Sequence, residues 1–343
     1  MNKPWLLERS LAELQEELNS SGFPKYTARQ VFQWLYQKNN SDPATWSNIA
    51  KAERDRLSGL YDLACRPVLS KQNDDQGTQK FLIGLADGLK IEAVLIPEKE
   101  HHTFCLSTQV GCVLGCRFCA TGTMGLRRNL TAGEIVSQVL TLRKELPDPK
   151  AKVNLVFMGM GEPLLNYDNL SLALRRIIAP EALAISPRHV TVSTVGILET
   201  LKKLEHDFPQ VGIAFSLNAP DNALRGELMP VSRREELGGL LAYFKAQQRR
   251  RRLTCEYVLL GGVNDSPAQA RKLVRLLHGI PVKINLIPYN ENPALPFQRP
   301  DAATVERFRE ELVQRGLTVV TRWSKGRSIG SACGQLAVVS ENN

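Results

Sequence analysis

The cysteines of this chain are few and unevenly placed: Cys65, Cys105, Cys112, Cys116, Cys119, Cys255 and Cys333. Three of them form Cys112-Val-Leu-Gly-Cys116-Arg-Phe-Cys119, a C-x3-C-x2-C spacing. Three thiolates this close can hold three irons of a cubane [4Fe–4S] cluster and leave the fourth iron open to a substrate. A zinc site completed by Cys105 or a histidine is the other reading of the same residues. Zinc knuckles pair one C-x2-C with a second, and no second C-x2-C occurs here, so the spacing favours the cluster. The odd total argues against a disulfide framework. Cys65 and Cys255 read as buried structural residues, the usual fate of a free cysteine.

Other residues of suitable chemistry follow apolar runs. Gly159-Met-Gly161-Glu162-Pro-Leu-Leu-Asn166 follows Val153–Met158. Its glycines admit a ligand close to the backbone, and Glu162 is an anionic acceptor suited to an ammonium group. A tight turn with a surface glutamate is the plainer reading. Ser193-Thr194, Ser216-Leu217-Asn218 and Asn290 offer hydroxyl and amide groups that could bond a carboxylate, a ribose or an adenine; singly, each also suits a cap or a turn. Gly261-Gly262 has no P-loop lysine and reads as the turn before the Asp265-Ser266-Pro267 helix start. The Arg249–Arg252 run is a solvated face or a phosphate contact. Gly326, Gly330 and Gly334 let the segment around Cys333 bend over a site.

These residues must be held by a frame. Candidate strands are Thr103–Thr108, Val153–Met158, His189–Ser193, Val211–Leu217, Thr254–Leu260 and Val282–Ile287, with a further apolar run at Leu317–Val320. Amphipathic helical stretches alternate with them near 131–145, 167–178, 197–206, 235–248, 267–278 and 301–315, and Thr131 with Glu134 spells a capping box. This βαβα order predicts an α/β fold with parallel strands, a partial (β/α)6 barrel or an open sheet, with ligands gathered at the strand C-terminal ends. Lys80–Leu85 and Leu89–Ile96, flanking Asp87-Gly88, read as a β-hairpin. Residues 1–62 read as a small helical domain, with Val31, Trp34 and Leu35 as its core. The division is then 1–62 helical, 63–101 linker and hairpin, and 102–343 barrel with its C-terminal loop.

Bulk composition agrees. At about 150 residues per domain, 343 residues suit two domains. Hydrophobic residues at 43% and charged residues at 23% exclude wholesale disorder. No apolar run is long enough to span a membrane, and the first residues carry charge where a leader would be apolar, so a cytoplasmic location is expected. The formal charge of +9 suits a polyanionic partner.

The string from Cys105 to Gly122, together with Gly159–Asn166, Ala332-Cys-Gly-Gln-Leu336 and the N-terminal Gly22–Trp34 segment, resembles the RlmN/Cfr family of radical S-adenosylmethionine (SAM) RNA methyltransferases over nearly the whole chain. The resemblance implies a radical SAM-type barrel, one [4Fe–4S] cluster on Cys112, Cys116 and Cys119, and SAM held by Gly161, Glu162, Ser193, Ser216, Leu217, Asn218 and Asn290. It implies methylation of an adenosine ring carbon in RNA: C2 of an adenosine in 23S rRNA, with tRNA as a further substrate. C8 methylation is the alternative within the family, and a non-catalytic zinc-containing RNA-binding module is the alternative outside it. Residues 1–62 become an accessory RNA-binding domain. Partners are RNA and a one-electron donor such as flavodoxin or ferredoxin, with no membrane.

Adenine C2 is electron-poor and has no lone pair to attack a sulfonium methyl, whereas a thiolate can take the methyl first. By resemblance Cys333 is the methyl carrier, as S-methylcysteine. The cluster cleaves a second SAM to a 5′-deoxyadenosyl radical, which activates the thioether methyl for addition to the base. Cys105 is then the resolving thiol and Glu92 the proton acceptor; by strand position alone, Glu92 would read as an exposed charge. The chain departs from the family at Asn218, where histidine is usual, and at Ser328, where aspartate is frequent.

Overall fold

The computed structural model describes residues 3–149, 151–230, 236–247 and 252–338. Its N-terminal stretch forms α1 (Leu11–Ser20), α2 (Thr27–Phe32, continued by a π turn to Gln37) and α3 (Lys51–Leu60). Ser10 and Glu13 make a reciprocal capping box at α1, satisfying two backbone donors that a helix start leaves over. Val31, Trp34 and Leu35 are buried as expected.

The next three strands, β1 (Val68–Asn73), β2 (Gln79–Gly84) and β3 (Lys90–Pro97), are antiparallel, and β3 continues antiparallel onto β4 (His102–Cys105). The β2–β3 pair is the expected hairpin, with Gly88 in the left-handed region at φ 81°. Strand β1 was not legible in the linker because all six of its residues are exposed, leaving no period-two apolar signal.

From β4 the chain alternates. The strands are β5 (Gln109–Cys112), β6 (Gly125–Asn129), β7 (Val153–Phe157), β8 (Val190–Thr194), β9 (Gly212–Ser216), β10 (Leu253–Leu259), β11 (Val282–Pro288) and β12 (Thr318–Thr321). The helices are α4 (Ala120–Thr123), α5 (Ala132–Arg143), α6 (Tyr167–Ile178), α7 (Leu198–Asp207), α8 (Asn222–Leu228), α9 (Leu237–Ala246), α10 (Pro267–Leu276) and α11 (Ala302–Val313). The ten-stranded sheet runs β1-β2-β3-β4-β7-β8-β9-β10-β11-β12. Every neighbouring pair from β4 to β12 is parallel. The sheet is thus a partial barrel, open between its edges β1 and β12. The expected first strand, Thr103–Thr108, is shorter than read. It ends at Cys105, and the chain then enters a separate two-stranded ribbon, β5–β6.

That ribbon has a backbone reason. A Cβ on Gly111 would lie 1.8 Å from the Gly125 carbonyl oxygen, so the two strands approach as only glycine permits. Arg128 of β6 then donates to both Glu134 oxygens of α5, at 2.7 and 2.9 Å, and to Asp87 in the hairpin turn at 2.6 Å. The ribbon carrying Cys112 is thereby fixed to the sheet and to α5.

The N-terminal helices pack on the same core. Arg176 of α6, buried, donates to the Leu7 and Glu8 carbonyls at 2.8 Å each. Glu8 accepts from Thr131 and from the Gly133 amide at the start of α5. One cluster of buried apolar side chains runs from Trp5 to Leu336. Cys255 is buried as expected; Cys65 is only half-buried, packed against that core. Of the arginine run, Arg249, Arg250 and Arg251 lie outside the described residues, and Arg252 is exposed, donating to Thr318 at 3.2 Å. No helix among the described residues is long and apolar enough to cross a membrane.

Candidate functional site

Two cavities lie inside the partial barrel. The first, about 920 Å³ of space partly open to solvent, is walled by Cys112, Cys116 and Cys119 on one side and by the ends of β7 to β11 on the other. Cys112 closes β5, Cys119 caps α4, and the turn between them is braced by Arg117 N–H donating to Leu228 O at 2.9 Å. Burial pushes all three thiols up: Cys112 to about 12, Cys116 well above its ordinary value, Cys119 in the same direction. Cys119 adds to the shift of the other two by like-charge repulsion. Three thiols so crowded and poorly hydrated, Cys112 buried and Cys116 and Cys119 half-buried, become thiolates together only where a strong positive charge compensates them, which is what a ligated metal cluster supplies. Among the described residues no three His, Cys, Asp or Glu side chains converge on a point that could hold a single ion.

Glu162 lines the same cavity as the thiols. Its two oxygens accept from the amides of Leu164 and Val195, both at 3.1 Å. Burial nevertheless raises its carboxyl to about 7. The preceding glycines are obligatory. A Cβ on Gly159 would meet Leu106 and Ser107 at 2.7 Å; one on Gly161, at φ 101°, would meet Gln109 at 2.5 Å. The segment is therefore no loose surface turn: its glutamate is buried and lines the cavity.

Ser193 and Ser216 line the same cavity, 3.3 Å apart. Ser193 donates to Glu256 at 3.0 Å. Glu256 escaped the sequence reading. Its signal was a lone charge inside the apolar run Thr254–Leu260, and burial holds its carboxyl above the usual range. Asn218 also lines the cavity, in the left-handed region at φ 57°; its side-chain oxygen accepts from Val258 N–H at 2.9 Å. Leu217 is fully buried and is not among the lining residues. Asn290 does not line the cavity either. Its amide donates to the Cys333 carbonyl at 3.1 Å and to Ser324 at 3.0 Å, holding the C-terminal loop. Beneath the floor, Arg225 is buried and donates to the carbonyls of Val195, Leu217 and Ser216 at 2.7, 3.2 and 3.3 Å. Burial lowers its pKa to about 10, with Cys116 opposing the shift. Nothing in its local sequence marks it as buried.

The second cavity, about 1750 Å³ including open space, reaches from Cys105 and Met158 to the segment 322–336. Cys333 and Met158 line both cavities. Cys105 lines only the second and is buried. Burial raises its thiol above the usual range, and the neighbouring Cys333 adds to that shift. Cys333 itself is exposed, yet desolvation of its thiol raises it, while Arg322, whose charge also faces Cys105 and Glu256, pulls it back. None of the cysteines is in a disulfide.

Glu92 corrects the expectation of an exposed charge. It is buried, pairs with Lys80 at 3.0 Å and accepts from Ala337 N–H at 3.0 Å. Burial raises its carboxyl despite the lysine. It lines neither cavity, and residue 337 covers it. The C-terminal loop is fastened to the three-cysteine loop as well: Ala120 N–H donates to Gly334 O at 2.8 Å and Thr121 to Leu336 O at 2.6 Å.

A parallel β/α sheet with a three-cysteine loop facing its strand ends is the architecture of radical SAM enzymes, and residues 106–274 match the radical SAM superfamily model. Residues 5–62 match the model of the ribosomal RNA large subunit methyltransferase N-terminal domain. The chain is 47% identical over 337 residues to a dual-specificity RNA methyltransferase RlmN of Solidesulfovibrio magneticus, covering 96% of this chain and 95% of that protein. It is 44% identical to the RlmN of Syntrophobacter fumaroxidans, over 95% and 96% of the two. A solved radical SAM methyltransferase from Sphaerobacter thermophilus superposes with a TM-score of 0.93 at 41% identity, covering 97% and 99%. The chain belongs to the RlmN family of radical SAM methyltransferases. It is an enzyme whose cofactors are one [4Fe–4S] cluster and SAM, and the zinc-module alternative falls.

Proposed function

We propose that this enzyme methylates C2 of an adenosine in 23S rRNA, and an adenosine of tRNA as a second substrate, through a methyl carried on Cys333. The observation that carries the reading is the position of Cys333 as the one cysteine lining both cavities. In this scheme Cys112, Cys116 and Cys119 hold the cluster, which when bound supplies the electron for SAM cleavage. Glu162, at the end of the Gly159–Gly161 turn, accepts the SAM ammonium. Ser193, Ser216 and Asn218 bond its remaining polar groups, while Leu217 and Asn290 hold the backbone that shapes the pocket.

Cys333 takes a methyl from SAM in the first cavity: a new S–C bond forms as the sulfonium C–S bond breaks. Its other side faces the chamber where the adenine is brought. Cys105 waits in that second chamber. Once the Cys333 methyl has lost a hydrogen and its carbon has bonded to the adenine ring carbon, the ring proton leaves and Cys105 attacks the Cys333 sulfur. An S–S bond forms and the bond from that sulfur to the base-borne carbon breaks. Its electron pair stays on the base side and takes up a proton. The methylated base leaves, and electrons from the donor return the disulfide to two thiols. Glu92, buried and inclined to hold a proton, is the acceptor for the ring proton once residue 337 moves aside. A one-electron donor of the flavodoxin or ferredoxin type serves the reaction, which takes place on cytoplasmic RNA.

The test separates the two thiols. Cys105→Ala, made in cells that supply RNA, should accumulate a protein–RNA adduct on a denaturing gel that nuclease collapses. Cys333→Ala should be inactive and free of adduct. Methylated RNA released normally by Cys105→Ala would overturn the assignment.

A further inference from the structure

The second cavity is basic at its rim. Arg188, His189, Lys283 and Arg322 line it, and its one lining carboxylate, Glu98, is already paired with Lys325 at 3.1 Å. At the same rim stands Trp323, 52% exposed, while the other three tryptophans, Trp5, Trp34 and Trp46, are 8% exposed or less. Leaving a large aromatic in water forgoes about 2 kcal/mol of burial, so such a ring beside a functional cavity asks for a partner. Its surroundings say which. The Arg299 guanidinium sits over the ring, 5.0 Å from its centroid, and about half of the residue stays open to solvent. A flat ring backed by a cation, set in a basic rim, is complementary to a nucleobase attached to phosphate, because any base can stack on the ring while its phosphates meet the cations. An apolar peptide would gain nothing from the cations.

We propose that Trp323 is a stacking platform for an unpaired RNA base flanking the target adenosine, which enters the second cavity toward Cys105 and Cys333. The inference rests on the RNA-methylation reading and adds a specificity element to it. Only unpaired bases expose a face to the ring, so the platform selects loops over duplex.

The test uses the full chain and a synthetic RNA hairpin with unpaired adenosines in its loop. Hairpin binding should quench the exposed tryptophan of the wild-type protein, against a constant background from the three buried ones, and a fully paired duplex should not. Trp323→Ala should bind the hairpin about tenfold more weakly, and Trp323→Phe should recover part of the loss. Affinity of Trp323→Ala within twofold of wild type, or equal quenching by hairpin and duplex, would overturn the platform. The two readings fail separately. Wild-type protein that binds and quenches but methylates no RNA would refute the activity alone. Wild-type protein that methylates while Trp323→Ala binds unchanged would refute the platform alone.

Discussion

Glu162 shows what a single residue's surroundings do to its chemistry. Two backbone amides reach its oxygens, yet burial outweighs them and lifts the carboxyl to about 7. The folded protein therefore binds that proton more tightly than the unfolded chain does. Its contribution is harmless below the ordinary value of 4.5, turns unfavourable as pH rises, and reaches its full cost above about 7. In protein freed of SAM and iron, Glu162→Gln should thus gain stability relative to wild type across that window, by up to about 3 kcal/mol. Denaturant unfolding at a series of pH values would measure this, and a difference between the two proteins that does not vary with pH would contradict it. With Glu162 as the acceptor of the SAM ammonium, as proposed above, bound SAM should cancel the effect, since an ammonium partner restores the value of a charged carboxylate.

At the scale of elements, the turn after β7 decides whether the pocket exists. Gly161 combines a left-handed φ with a Cβ position only 2.5 Å from Gln109. Gly262, at φ 70°, has the same kind of backbone but open space around it. Gly161→Ala should therefore cost about 2–5 kcal/mol, from strain and overpacking together, while Gly262→Ala pays the backbone term alone, about 1 kcal/mol. Paired denaturant midpoints would show it; equal losses would mean that packing against Gln109 is easily relieved. The same contrast marks what the sequence could convey. Parallel strands with apolar cores, such as Val153–Met158 and Val282–Ile287, announce themselves by composition, as do the capping box at Thr131 and the cysteine spacing. Strand β1 has no buried face, and the β5–β6 ribbon depends on a backbone approach between Gly111 and Gly125 across the three-cysteine loop, so neither leaves a periodic pattern. The burial of Glu92, Glu256 and Arg225 is likewise a property of three-dimensional neighbours. Only the oddity of a charge inside an apolar run hinted at Glu256.

For the molecule as a whole, the continuous core from Trp5 to Leu336 makes the N-terminal helices and the barrel one packed body. Its circumference is not uniformly bonded, however. Between β12 and the antiparallel strands β1 to β3 the barrel is spanned by the segment after Arg322, and among the described residues that span has no ladder. The Gly326 amide goes to Asp74, the Ala337 amide to Glu92 and the Ala332 amide to Gln335, while Lys325 reaches Pro97 and Glu98. Such bonds can let go a few at a time without disturbing the sheet, so this seam should open far more often than the molecule unfolds. In hydrogen-exchange mass spectrometry, amides of residues 326–337 should exchange through a low-energy local opening, while those of β10 and β11 wait for global unfolding. Equal protection in both would mean that the seam is as firm as the sheet. Cys333, the methyl carrier of the proposed scheme, would thus be mounted on the part of the wall that yields first, which would let the enzyme admit and discharge a bulky polymer with its barrel intact.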